Sequence, residues 1–245
     1  MRFFTTTLPV LLFVVGCSTT TQDKASVSTP WEGEPVVRFV KTYDLQVALT
    51  FDDGPHPINT PLLLDLLKEE KIKATFYLVG QTAAAYPDIT KRIIDEGHEI
   101  GNHSWSHDNF TDLSYQEIAK EIDKTNALLE KHSGVKPATF RPPYGALRPA
   151  QKTWIHEKYQ WPIVYWSIDP KDWTRPGIGE VSRRIVSGIH PGAIVLFHDT
   201  HNTTIQAMPD IIEKLKSKKY EFVTISKLLA SSQKQNHQET RLTSD

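Results

Sequence analysis

A single cysteine, Cys17, stands in 245 residues, so no disulfide can form within the chain and the fold must rest on its core. An excess of either charge is also missing. The 28 Lys and Arg residues nearly balance 29 Asp and Glu, the formal net charge is −1, and no basic run gathers anywhere. Nucleic acid as a partner and long-range steering of acidic substrates therefore find no support. The N-terminal apolar run, Leu8 to Val15, falls short of the roughly twenty residues that span a bilayer. No internal repeat and no interior linker interrupts the chain. What is present, 39% hydrophobic and 23% charged residues, is ordinary globular composition. The length suits one substantial domain.

The N-terminal run has the length and flanks of a secretory signal peptide. It closes in V-V-G-C, which resembles a bacterial lipobox, in which cleavage before the cysteine leaves Cys17 to carry lipid. Several acyl chains on one residue make a durable anchor where a single chain is marginal. Ser18 at the next position resembles an outer-membrane sorting signal in an envelope with two membranes. The expected organisation is a signal peptide over 1–16, a lipidated Ser/Thr-rich tether over 17–42, one domain over 43–230 and a polar tail over 231–245. The buried alternative, a core segment with an incidental cysteine, explains neither the position nor the uniqueness of Cys17.

Between these ends, short β-rich runs alternate with helical patterns. Strands are expected at 46–51, 74–79, 98–102, 138–141, 163–168, 193–198 and 220–224. Helices are expected near 59–70, 86–96, 114–132, 149–158, 178–189, 204–218 and 225–231. Ser114 and Glu117 stand at capping-box spacing, and Gly134 follows Lys131 and His132 as a stop signal. Seven strand-then-helix units imply an α/β fold with a parallel sheet, open or closed into a barrel. In such folds ligands meet the carboxyl ends of the strands.

Polar residues concentrate at five of those ends. The first reads T-F-D-D-G-P, Thr50 to Pro55. Alternation on a regular strand sends Asp52 and Asp53 to opposite faces, but Gly54-Pro55 breaks the strand and lets the chain curl. Alone, the pair is equally a turn with one solvated carboxylate. The third end, H-S-W-S-H, places His103 and His107 four apart, on one side if the loop makes a helical turn. Two histidines and a carboxylate suit a divalent transition metal with open positions, although two surface histidines explain the spacing equally well. R-P-P-Y-G, Arg141 to Gly145, is a stiff loop with an arginine that a salt bridge alone would explain. D-P-K-D-W, Asp169 to Trp173, and L-F-H, ending at His198, complete the set.

In order, these five motifs resemble those of the polysaccharide deacetylase family, the NodB-homology domain of carbohydrate esterase family 4. The resemblance runs from about Tyr43 to Leu229 and implies a distorted (β/α)7 barrel with parallel strands. It further implies that Asp53, His103 and His107 bind a divalent metal, Zn2+ or Co2+ or a similar ion. Asp52 would then be the general base and His198 the general acid. By the same resemblance Asp169 would orient His198 and Arg141 would fix Asp52. The backbone N–H of Tyr144 would meet the oxyanion, and Trp173 and Leu196 would wall the acetyl methyl.

The implied reaction is hydrolysis of the N-acetyl group of N-acetylglucosamine-containing polysaccharide. Peptidoglycan is the nearest such polymer for an exported, lipid-anchored envelope protein, in the outer membrane or periplasm where two membranes exist. Chitin oligomers and poly-N-acetylglucosamine are rivals, and O-acetylated xylan is a further one. The expected partners are thus an N-acetylated glycan and a membrane reached through Cys17, with no protein partner evident. Two other classes compete. A non-catalytic glycan-binding lipoprotein predicts damage at Asp52, His198 or the ligands, and none is seen. An iron oxygenase could use the same ligand types, but those usually sit on antiparallel double-sheet barrels, which the strand–helix alternation opposes.

Overall fold

The computed structural model describes residues 33–134 and 136–231. The expected signal peptide, Cys17 and nearly all of the polar tail lie outside the described residues. Ordered structure starts before the expected domain boundary at residue 43. Strand β1 (Val36–Val37) pairs with Ile163 and Val164, and Val37 and Val40 are buried. The Ser/Thr-rich composition of the preceding stretch masked this short hydrophobic graft.

The remaining elements alternate as the sequence predicts. In chain order they are β2 (Gln46–Asp52), α1 (Asn59–Glu69), β3 (Thr75–Leu78), α2 (Gly80–Ala85), α3 (Pro87–Asp95) and β4 (Glu99–Asn102). Then come α4 (Tyr115–Ser133), α5 (Pro149–Tyr159), β5 (Ile163–Val164), α6 (Ile178–Gly188), β6 (Ala193–His198), α7 (Asn202–Ser217) and β7 (Glu221–Phe222). A last helical segment covers 225–231. The expected capping box forms at Ser114 and Glu117, and Gly134 ends α4 in a left-handed conformation. Helix α2 was not foreseen. It starts directly after β3, where a Cβ on Gly80 would stand 2.4 Å from the Trp105 ring, so only glycine lets this backbone approach so closely.

All ladders are parallel, in the order β4-β3-β2-β6, with β7 joining β2 at Gln46 and Val47. Single bridges complete the ring. Phe140 links Asn102 to Ile163, and Ile168 meets Val195. The expected strand at 138–141 is thus reduced to one bridged residue, and the barrel is distorted on that side.

Alternation along β2 sorts its side chains. Leu49 and Phe51 pack outward with Phe76, Phe197 and the apolar faces of α1, α6 and α7, where Phe51 stacks on Phe76 and Phe197 at 5.2 and 5.3 Å. Ala48, Tyr77, Val164 and Ile194 fill the inside of the barrel. Asp52, two residues beyond Thr50 on that inner row, is carried to the mouth at the carboxyl end.

Candidate active site

The ends of β2, β4 and β6, with the loops after Phe140 and Ile168, enclose a cleft of about 430 Å3. Asp52, Asp53, His103, His107, Tyr144, Asp169, Trp173, Leu196 and His198 all line it. Arg141 lies beneath, fully buried. Every expected site residue among the described residues therefore converges on one place, although Asp53 and the two histidines do so by unexpected means.

The first surprise is the turn. Strand β2 continues through Asp52, which pairs in register with His198. The reversal occurs at Asp53 itself, with φ of 73°. That left-handed residue, rather than Gly54-Pro55 alone, brings the second carboxylate to the face of the first. The space opposite Gly54 is occupied by the Asp199 carboxylate, so no Cβ fits there.

Asp52 is buried and accepts a 2.6 Å hydrogen bond from Arg141 Nη1 on Oδ1. The same guanidinium donates to Thr50 Oγ1 at 2.8 Å and to the carbonyls of Val164 and Tyr165 at 3.0 Å. It also lies 4.2 Å from the Tyr77 ring centre. Oδ2 of Asp52 stays 3.8 Å from His103 Nε2. One oxygen is thus tied down and the other faces the chemistry.

The second surprise concerns the histidines. Residues 103–107 make no helical turn, since Ser104 and His107 have φ of 68° and 64°. The bend nevertheless brings the rings to 5.0 Å between centroids. His103 Nδ1 lies 2.7 Å from the carbonyl of Arg141. Nδ1 is therefore the donor, and the Nε2 lone pair turns to the cleft. Asp53 Oδ1 is 3.4 Å from His103 Nε2 and 3.1 Å from His107 Nε2. It is buried yet accepts no well-aligned hydrogen bond.

One ligand atom from each of Asp53, His103 and His107 lies within 4.8 Å of the others. One oxygen and two nitrogens with an open side suit a divalent transition cation. A buried carboxylate oxygen without a well-aligned donor, 3.4 and 3.1 Å from the Nε2 atoms of two imidazoles, fits the same cation. Burial alone would raise the Asp53 pKa, but hydrogen bonds from His103 and His107, formed when their Nε2 atoms carry protons in place of a metal, outweigh it and hold the carboxyl well below its usual range.

His198 closes β6, and here one expectation fails. Asp169 does not orient it: the Asp169 carboxylate accepts from its own loop, at Lys171 N, 2.7 Å away. The partner is Asp172. Its Oδ1 lies 2.8 Å from His198 Nδ1, while Oδ2 accepts from His198 N at 2.8 Å and Thr204 Oγ1 at 2.6 Å. The reason is a 3-10 turn over Asp172–Thr174 that rolls the second aspartate of D-P-K-D-W inward, to full burial. Burial would depress the His198 pKa, but Asp172 overrides it and raises the imidazole to about 9. The acidic partner is correspondingly held low.

Leu196 is buried at the cleft floor, whereas Trp173 is 53% exposed and forms part of its wall. Tyr144, held left-handed at φ 58° after two prolines, packs its ring 4.6 Å from that of His107. Besides Asp172, three lining or supporting residues escaped the sequence reading: Trp166, His201 and Asp199. His201 sits three residues after His198 and its ring lies 5.9 Å away. In H-D-T-H the second histidine was the available signal.

A family model described as polysaccharide deacetylase matches residues 40–165. The chain belongs to the polysaccharide deacetylase family. It is 42% identical over 194 residues to the peptidoglycan-N-acetylglucosamine deacetylase PgdA of Listeria monocytogenes, covering 79% of this chain and 41% of the relative. It is 39% identical over 191 residues to a peptidoglycan-N-acetylglucosamine deacetylase of Bacillus cereus, covering 76% and 69%. The matched region thus spans about two-fifths of the Listeria relative and over two-thirds of the Bacillus cereus one. Among solved structures, a peptidoglycan N-acetylglucosamine deacetylase superposes with a TM-score of 0.77 at 36% identity, over 79% of this chain and 92% of that one. A family pseudoenzyme from Bacillus anthracis superposes almost as well, at 0.76 and 33% identity over 81% and 70%. Backbone similarity in this family therefore does not by itself carry activity, and the side chains have to be read.

Proposed function

We propose that this polysaccharide deacetylase family member is a metal-dependent N-deacetylase acting on N-acetylglucosamine units of a glycan polymer, with peptidoglycan as its first substrate. One observation carries the reading. A base, a three-ligand metal site and an acid with its own carboxylate partner face one cleft, and no member of the set is lost. The relatives, named as peptidoglycan-N-acetylglucosamine deacetylases, favour peptidoglycan over chitin oligomers, poly-N-acetylglucosamine or O-acetylated xylan.

Asp53, His103 and His107 would hold the metal. When bound, a divalent ion such as Zn2+ or Co2+ polarises the amide carbonyl and acidifies the attacking water. Asp52, anchored through Oδ1 by Arg141, takes the water proton on its free oxygen. A C–O bond forms at the acetyl carbon, and the developing oxyanion meets the backbone N–H of Tyr144. His198, kept protonated by Asp172, donates its Nε2 proton to the amine nitrogen as the C–N bond breaks. Acetate and a free glucosaminyl amine leave. Leu196 and Trp173 would wall the acetyl methyl, and longer acyl groups would clash there.

We also propose that Cys17 carries lipid and holds the domain at the cell envelope. Support comes from V-V-G-C after an apolar run and from the absence of any other cysteine. The protonated amine product would add positive charge to the wall polymer nearest such an anchor.

A non-catalytic role as a glycan-binding protein is the competing reading, and the Bacillus anthracis pseudoenzyme makes it concrete. It requires a damaged site, whereas Asp52, His198 and the metal triad are all in place. The deciding experiment measures acetate release from purified peptidoglycan and from N-acetylglucosamine oligomers, with and without a chelator. Release that chelation stops and added metal restores is the expected result. Release indifferent to chelation would refute the metal role, and no release from either glycan would favour the binding protein.

A further inference from the structure

The two metal-facing histidines hang on a loop of costly shape. Ser104 and His107 are both left-handed, a conformation that non-glycine residues keep only where the surroundings hold them to it. His103 has its own fixture in the Arg141 carbonyl. The His107 ring packs edge-on against His103 and Tyr144 and points Nε2 at Asp53. Its aim therefore depends on the backbone of residues 104–107.

That backbone is gripped from α4. A single oxygen of Glu121, Oε2, accepts from Trp105 N at 2.9 Å, Ser106 N at 2.8 Å and Ser106 Oγ at 2.9 Å. Hydrogen bonds to an ionised acceptor are roughly twice as strong as neutral ones, and here two backbone N–H groups converge on one between the two ligands, while the single Ser106 Oγ proton is shared between Glu121 Oε2 and Asp108 Oδ2 at 2.7 Å. Secondary ties point the same way. Ser104 N donates to Asn102 Oδ1, and His107 N donates to Ser104 Oγ at 3.0 Å. Asn102 in turn donates to Ile122 O and Asn126 Oδ1 on α4. Helix α4 is capped at both ends, which makes it a firm support. Glu121 itself does not line the cleft.

We infer that Glu121 is a positioning residue for the metal site, a carboxylate clamp that holds the loop between His103 and His107 in the shape ligation needs. The inference rests on the metal reading given above. Glu121 sets metal affinity without touching the ion or the substrate.

The test is a Co2+ titration of the full chain, followed by visible absorption, on the parent and on Glu121→Ala and Glu121→Gln. Loss of the clamp should weaken Co2+ binding by about tenfold or more in the alanine variant. The glutamine variant, which keeps an acceptor oxygen without the charge, should fall between it and the parent. The Co2+ concentration for half-maximal acetate release should rise by the same factor. Glu117→Gln removes the capping-box carboxylate of the same helix. It should lower thermal stability and leave Co2+ affinity alone. If the alanine variant fails to fold, the glutamine variant and the Glu117 control still decide. Folded Glu121 variants with parental Co2+ affinity would overturn the clamp, as would an equal loss in Glu117→Gln. A parent chain that binds no Co2+ would overturn the metal reading and the inference with it, a failure visible before any variant is made.

Discussion

Replacing Asp172 by Asn tests the acid half of the site through pH rather than through loss of activity alone. The carboxylate is fully buried, sits 2.8 Å from His198 Nδ1 and is the main influence lifting that imidazole to about 9 against its burial. With an amide in its place, the burial remains and the largest compensating charge is gone, leaving only the Asp52 and Asp53 carboxylates to oppose it, so the pKa should fall towards 6.5. At about pH 8 an imidazole of pKa 9 is roughly 90% protonated, and one of pKa 6.5 about 3%. The variant should therefore lose up to about thirtyfold in kcat at that pH beyond any constant loss, and under about twofold of it near pH 6. The assay is acetate release from N-acetylglucosamine oligomers at saturating metal across the pH range. The parent's basic limb should lie near pH 9 and the variant's should move down towards 6.5. Folding should report the same pair. A His198 pKa raised above its unfolded value gives stability that is present below about pH 6.5 and lost as pH rises through 9. The lowered Asp172 pKa gives stability that is present above 3.8 and lost on further acidification. The difference in melting temperature between parent and variant should thus peak between those limits. A variant whose activity falls equally at every pH, with an unmoved basic limb, would refute the pairing argument.

Three further outcomes are expected. Asp52→Asn should abolish turnover and keep metal, whereas His103→Ala should lose both; metal analysis showing equal loss would contradict the division of roles. Arg141→Ala strands a buried carboxylate and three buried acceptors. It should lower unfolding free energy by about 3–5 kcal/mol in denaturant titrations, and a change under about 1 kcal/mol would deny the guanidinium its structural share. Burial raises the Asp199 pKa to about 7 from 3.8, so its native site favours the neutral acid. Stability from that group is present below about 3.8 and lost as pH rises through 7. Asp199→Asn should accordingly gain stability relative to the parent as pH rises from 4 to 8, and parallel melting curves across that range would count against it.

Much of this was legible in the sequence because the informative residues lie at strand ends, where period-two alternation meets turn-forming residues. β2 and β6 announced themselves as apolar runs that end in Asp and His, and their pairing in register at Asp52 and His198 follows from parallel order. The positions proposed as base, ligands and acid needed only that the ends meet for them to share one cleft. Short-range geometry was less accessible. Nothing in D-P-K-D-W says which aspartate rolls inward, because the answer depends on a 3-10 turn and on Thr204 in a distant helix. Residues 36–37 carry too little pattern to register as a strand, and their pairing partner lies more than a hundred residues away. Glu121 reads in the sequence as one more charge on an amphipathic helix. Its role appears only when the loop it grips is placed against it.

The adjacent carboxylates at Asp52 and Asp53 show how the structure divides what the sequence puts side by side. Like charges in neighbouring positions would repel if both faced the same cleft without partners. Here each has a different counterweight: a buried guanidinium for Asp52 and two imidazoles for Asp53. The left-handed turn at Asp53 separates their environments while keeping both at the mouth. A regular strand would have sent one of them into the packed layer beneath the helices, where no counter-charge awaits. Swapping their roles would require Arg141 to reach across the cleft, and its four hydrogen bonds at the base of the cleft prevent that. The proposed order of the pair, base first and ligand second, therefore follows from where the strand ends.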